Sequence, residues 1–142
     1  MKNNLDIAYA AGFFDGEGCI FIDQNNHAYT LEVTIGQNKK DPLEWIRERY
    51  GGSLRLQNSE TWTGPKWLWK LRSDQALLFL IDILPYLIVK KEQASTAIEY
   101  QSNKITRAGK RTSEEEIIKR DYYKKLVSSL NNTRRNMSPG TQ

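Results

Sequence analysis

GFFDGEGCIF, residues 12–21, contains the change of period on which the fold turns. Before it, the stretch from Leu5 to Phe14 suits a helix that Asn3 or Asn4 caps and that Gly16 and Gly18 stop. After it, from Cys19 to about Gly36, CIFID and YTLEVTI alternate apolar and polar residues, and the intervening QNNHA reads as a hairpin turn. Asp15 and Glu17 therefore stand at a helix-to-strand junction. A carboxylate at a helix C-terminus works against the macrodipole, so the pair needs a reason to be there. Carboxylates gathered where carbonyl oxygens lack intrahelical partners make an oxygen-rich site for a hard cation such as Mg²⁺. The spacing of Ala8, Ala11, Gly12 and Asp15 also lines one helix face with small residues, which lets a second helix approach closely.

Outward from this junction the pattern continues as helix, strand pair and helices. Asp41-Pro42 opens a second helix with Asp as cap and Pro in the first turn, and Gly51-Gly52 ends it. SLRLQ and KWLWKLR form a second strand pair across the turn-rich NSETWTGP. Ser73-Asp74 caps QALLFLIDIL, Pro85 breaks or restarts that helix, and a further helix runs from Tyr86 to roughly Lys104. After the basic turn RAGKRT, Thr112-Ser113-Glu114-Glu115-Glu116 begins a last helix to about Leu130. The expected architecture is α+β: an antiparallel four-stranded sheet of two β-hairpins with helices on one face, in the order α-β-β-α-β-β-α-α-α. It occupies one domain, residues 1–131, followed by a polar, unstructured tail, residues 132–142.

Period two also assigns the faces of the strands. Trp67, Trp69 and Leu71 share one side with Leu54 and Leu56 as core. Lys66, Lys70 and Arg72 share the other with Ser53, Arg55 and Gln57. In the first hairpin Phe21, Asp23 and Asn25 lie on one parity, with Thr30, Glu32 and Thr34 across from them. Lys, Arg and Gln donors on a twisted ribbon suit DNA phosphates and base edges. In the basic run from Lys104 to Arg111, Lys110 and Arg111 add candidates for backbone contact.

Composition narrows the chemistry. The 142 residues carry a net charge of +4, which favours an anionic partner. A single cysteine, Cys19, excludes an internal disulfide and reads as a small buried hydrophobe. A single histidine, His27, excludes a histidine metal site, and no Ser/His/Asp or Cys/His set is in view. The N-terminus lacks a signal-type apolar run, and the densest apolar stretch, from Ala76 to Val89, is too short to span a bilayer. A soluble, intracellular protein without a membrane partner is expected.

The stretch from Ala10 to Gly18 resembles the LAGLIDADG motif of homing endonucleases. Ala10 takes the first Leu, Phe13 and Phe14 the Leu-Ile pair, Gly16 the second Ala, and Glu17 the last Asp. The departure at Glu17 keeps the charge and adds a methylene. PYLIVKKEQA, residues 85–94, is similar to the segment carrying the family's active-site lysine, and Lys90 takes that place. TIGQNKK, residues 34–40, is similar to the end of the second strand, where the family places a Gln and a basic residue near the phosphate. Gln37 fits the first, and either Lys39 or Lys40 the second.

The resemblance implies that motif helices of two subunits pack through the face of Ala8, Ala11, Gly12 and Asp15. Asp15 then shapes the helix end, while Glu17 and the Gly16 carbonyl bind divalent metal, Mg²⁺ or Mn²⁺. One motif copy implies a homodimer on a long pseudo-palindromic duplex, hydrolysing phosphodiester bonds with Glu17, Lys90, Gln37 and Lys39 or Lys40 as catalytic residues. The alternatives on the same fold are an intron RNA maturase, with intron RNA as partner, and a DNA-binding protein without catalysis. A structural protein using residues 12–18 only for helix packing has no use for Lys90 or a basic sheet face.

Overall fold

The computed structural model of the chain describes residues 2–57, 66–106 and 108–136. Helix α1 spans Asn4–Glu17, and the Asn3 side chain caps it by accepting the Asp6 N–H at 2.8 Å. The helix runs past the expected stop at Phe14 as far as Glu17, because Gly16 is tolerated in its last turn. Strand β1, Gly18–Asn25, follows without a loop. Gly18 is required for this abrupt switch, since a methyl there would fall into the Phe14 ring.

Strand β2, Ala28–Gln37, returns after a two-residue turn in which Asn26 takes φ 56°. Helix α2, Asp41–Tyr50, ends at Gly51 and Gly52, whose φ values of 76° and 94° favour residues without a side chain. Strands β3, Ser53–Gln57, and β4, Lys66–Arg72, form the second hairpin; its connection NSETWTGP, residues 58–65, lies outside the described residues. The four strands are antiparallel in the order β1-β2-β4-β3, so the two hairpins join through β2 and β4. Helices α3 (Ser73–Ile83), α4 (Lys91–Ser102) and α5 (Glu114–Asn136) complete the α+β architecture that the alternation predicts.

Four local expectations are corrected. Asp41 lies inside the first turn of α2 and its side chain makes no capping bond; Lys40 holds the cap position. Ser73 does not cap α3 with its side chain but sits at φ 53°. Pro85 lies in a single 3₁₀ turn, Leu84–Tyr86, and α4 starts only at Lys91, which leaves residues 87–90 non-helical. Helix α5, capped by the Ser113 hydroxyl on the Glu116 N–H, continues to Asn136 rather than stopping near Leu130. The expected tail therefore begins as helix, and residues 137–142 lie outside the described residues.

The core lies between the sheet and the helices. Ile20, Leu31, Val33, Ile35, Trp69 and Leu71 supply the sheet side, and Phe14, Ile46, Phe79, Ile83, Ala97 and Val127 the helix side. Phe79 is ringed edge-on by Phe14, Tyr50 and Trp69 with centroids 4.8–5.3 Å away, a geometry favoured by ring quadrupoles. Trp69 Nε1 donates to the Gly51 carbonyl at 2.8 Å, satisfying its buried donor. Leu56 departs from the expected core and is half-exposed, because β3 is an edge strand. Lys104, read as part of a basic contact loop, instead turns inward and donates to the Tyr29 carbonyl at 2.7 Å beside the Tyr100 hydroxyl.

Candidate active site and nucleic-acid face

At the end of α1, two oppositely charged side chains are exchanged with the segment before α4. The Asp15 carboxylate accepts the backbone N–H groups of Ile88 (2.8 Å), Val89 (3.2 Å) and Lys90 (3.0 Å). In return, Lys90 Nζ donates to the Asp15 carbonyl at 2.6 Å. The anion thus meets the positive N-terminal end of α4, and the cation meets the negative C-terminal end of α1. This resolves the cost of an acid at a helix C-terminus. It also explains how Lys90, only 5 % exposed, is held as a buried charge. Asp15 and Ala11 are buried within the chain, so neither serves the dimer face expected of them. The exposed face of α1 instead carries Leu5, Tyr9, Gly12 and Gly16, with Ala8 half-buried beside it.

Glu17 follows two residues after the carbonyl that binds Lys90. It and Gly16 are exposed. A free carboxylate next to a helix-terminal carbonyl is a hard-oxygen donor set that fits a magnesium-type ion in kind. It is too small a set to enclose one: among the described residues no cluster of three metal-ligating acids, histidines or cysteines exists.

Beyond Glu17, strand pairing lays the polar side chains in rows across one sheet face. Cys19, Thr34, Lys70 and Ser53 are successive cross-strand partners, as are Phe21, Glu32 and Arg72. Asp23 pairs with Thr30, and Asn25 lies at the hairpin end. In the other direction, Gly36, Leu68 and Arg55 form a row, followed by Lys66 and Gln57. The Lys66 side chain lies across Gly36, its Cε 2.8 Å from where a Cβ would be. Gly52, Ser53, Arg55, Lys70, Arg72 and Gln75 line a basic depression at the edge of this face. The surface expected from strand parity is therefore assembled on one side of the sheet, opposite the core.

Within it two expectations change. Glu32 is buried, with Oε1 3.0 Å from Lys70 Nζ and 3.7 Å from Arg72 Nε, so it cannot reach a base edge itself. Cys19 is exposed on the polar face rather than buried in the core. Desolvation nevertheless holds its thiol above the ordinary value, with the Lys90 ammonium pulling the other way.

The remaining candidates separate. Gln37 ends β2 opposite Trp67, half-buried and on the core-side parity rather than the polar face. Lys40 lies over the Trp67 ring at 4.7 Å and pairs with Glu44 at 3.1 Å, which ties it to α2, whereas Lys39 is exposed at the strand end. Lys110 and Arg111 are exposed in the α4–α5 connection.

Residues 10–98, more than half of the chain, match the family model described as LAGLIDADG endonuclease. The chain belongs to the LAGLIDADG endonuclease family. The matched region runs from the start of the motif through α1, the whole sheet and the Asp15–Lys90 exchange into α4. The probable intron-encoded endonuclease aI2 of Debaryomyces hansenii is 33 % identical over 58 residues, which are 41 % of this chain but only 8 % of that much longer protein. Among solved structures, the homing endonuclease I-CvuI, in complex with its target in the presence of Ca, superposes with TM-score 0.73 at 22 % identity, covering 89 % of this chain and 82 % of that one. The archaeal intron-encoded homing endonuclease I-Vdi141I, complexed with DNA, gives TM-score 0.58 at 15 % identity over 92 % and 99 % of the two chains. These likenesses establish the LAGLIDADG fold.

For a LAGLIDADG chain, two features escaped sequence reasoning. The partners of Asp15 are 73 to 75 residues away and are backbone groups, which carry no residue-type signal. Gln75 joins the basic depression only because α3 begins where β4 ends. Cys19, by contrast, was recoverable: it shares parity with Phe21 and Asp23.

Proposed function

We propose that this chain is a site-specific double-stranded DNA endonuclease that works as a homodimer with a divalent metal, Mg²⁺ or Mn²⁺. The observation that carries this reading is the junction at the end of α1. An exposed carboxylate, Glu17, stands at one edge of a polar, basic sheet face, and a buried ammonium, Lys90, is fixed two residues away on the Asp15 carbonyl. The sheet face provides donors for phosphates and base edges along a duplex. Lys90, pre-positioned in a low-dielectric surrounding, places positive charge where negative charge develops on the scissile phosphate. Glu17 and the Gly16 carbonyl would hold the metal together with their counterparts from a second copy. When bound there, the metal supplies Lewis acidity at the phosphate and activates water. Lys39 is the better placed of the two strand-end lysines to organise that water, since Lys40 is tied to Trp67 and Glu44. The exposed Gly12 and Gly16 support close pairing of two α1 helices, flanked by Tyr9 and by Ile88.

The test is Mg²⁺-dependent cleavage of a randomised duplex library by the wild type and by Glu17→Gln. Site-specific cutting by the wild type and none by the variant is expected. Site-specific binding with no cutting by either protein would leave a DNA-binding module in place of the nuclease.

A further inference from the structure

We propose that Glu32 is a positioning residue that holds Arg72 for bidentate recognition of a guanine; this rests on the duplex-binding reading above. Glu32 faces Arg72 directly across β2 and β4, with Lys70 on its flank and Phe21 opposite it on β1. Its side chain is 4 % exposed, that of Lys70 17 % and that of Arg72 63 %. An acid in the middle of a phosphate-binding surface is a liability, because it repels the backbone that its neighbours attract. Direct readout by Glu32, as an acceptor for a cytosine amine, is excluded by its burial.

What remains is action through a neighbour. The carboxylate lies on the Nε side of the Arg72 guanidinium, at 3.7 Å, and no hydrogen bond engages the terminal nitrogens among the described residues. Those two nitrogens form the fork that matches the O6 and N7 acceptors of guanine. Glu32 Oε1 is within ion-pair reach of both cations yet in hydrogen-bonding alignment with neither, although it is buried. Beside its 3.0 Å ion pair with Lys70, this oxygen has acceptor capacity for Arg72 Nε, and closing from 3.7 Å when the guanidinium docks would turn that contact into a charge-assisted hydrogen bond. Lys70, at 3.0 Å, serves as the standing counter-ion of Glu32.

The experiment is selection from a randomised duplex library in the Glu17→Gln background, so that bound duplexes stay intact, followed by affinity measurements across a salt series. Glu32 is intact in the reference protein and is changed by Glu32→Gln; Arg72→Lys is the companion variant. The reference is expected to select one guanine per half-site with about tenfold preference or more over the other bases. Arg72→Lys should lose that preference while retaining non-specific affinity and salt slope. Glu32→Gln should lose most of the preference while non-specific affinity rises, because a negative charge has left the surface. Loss of preference with gain of affinity is not what a merely structural defect produces. Base preference intact in Glu32→Gln would overturn the inference, as would an even change across all duplexes in both variants, which would mean that Arg72 meets a phosphate. Failure of the reference protein to retain any duplex would instead overturn the duplex-binding reading, and the inference with it.

Discussion

Replacing Asp15 by alanine removes one carboxylate and the three hydrogen bonds it accepts from backbone N–H groups at once, and its cost can be worked from the geometry. The three N–H groups lie 2.8, 3.2 and 3.0 Å from the carboxylate. Hydrogen bonds to a charged group contribute about 1.5–3 kcal/mol each, so the low end for three is about 4.5 kcal/mol. Ile88 and Val89 are exposed, so water can reach their amides once the carboxylate is gone. The Lys90 N–H stays buried and unsatisfied. The expected loss is therefore about 3 kcal/mol, with an unchanged denaturant m-value and a fall in Tm of about 9 °C. Asp15→Asn keeps one acceptor oxygen and should lose about half as much. Urea unfolding and calorimetry measure both. Because typical domains have about 5–15 kcal/mol in hand, the alanine variant should remain folded at 25 °C. On the proposed nuclease reading, its DNA cleavage should nonetheless fall well below its folded fraction, because the segment that presents Lys90 has lost its anchor. A loss under about 1 kcal/mol, or equal losses for alanine and asparagine, would refute the reasoning.

Three further outcomes are expected. Gly18→Ala should cost about 1–3 kcal/mol by driving a methyl into the buried Phe14 ring, and Phe14→Leu in the same chain should recover part of it; thermal unfolding within about 0.5 kcal/mol of wild type would contradict the steric account. Gly12→Leu should leave the folded subunit intact, since a Cβ there meets nothing within 4 Å, and on the proposed homodimer reading should shift sedimentation from dimer to monomer; a dimer unaltered by the substitution would show that α1 is not the pairing face. Glu116 is buried, and although burial pushes its carboxyl up, hydrogen bonds from Lys119, Arg120 and the Ile105 N–H outweigh this and hold it below the ordinary range. A folded-state pKa below the unfolded one gives stability that is present above the unfolded value and is lost as pH falls through the folded value. The stability gap between wild type and Glu116→Gln should therefore be constant at neutral pH and shrink below about pH 4.3, read as Tm against pH; a gap that widens on acidification would reverse the sign of the argument.

The sequence alone determined the parts whose signal is local. Strand alternation separated Trp69 and Leu71 from Lys70 and Arg72, and pairing in the structure places them on opposite faces. Capping was legible as Asn3 or Asn4 and as Thr112-Ser113, because a short polar side chain before an apolar period has one common use; the structure selects Asn3 and Ser113. The motif from Ala10 to Gly18 singled out Glu17, and the similarity at residues 85–94 singled out Lys90.

Only the tertiary structure decided what those residues touch. Asp15 appears in the sequence as part of a small-residue face, but its partners are amides from a segment 73 to 75 residues away. Glu32 reads as a polar residue on a binding face; packing between Phe21, Lys70 and Arg72 withdrew it from solvent. Lys104 reads as part of a basic loop, yet the Tyr29 carbonyl claimed it. In each case the side chain's chemistry was visible from the start. Its partner was a backbone group or a cross-strand neighbour, which residue identity does not encode and only the folded chain brings within reach.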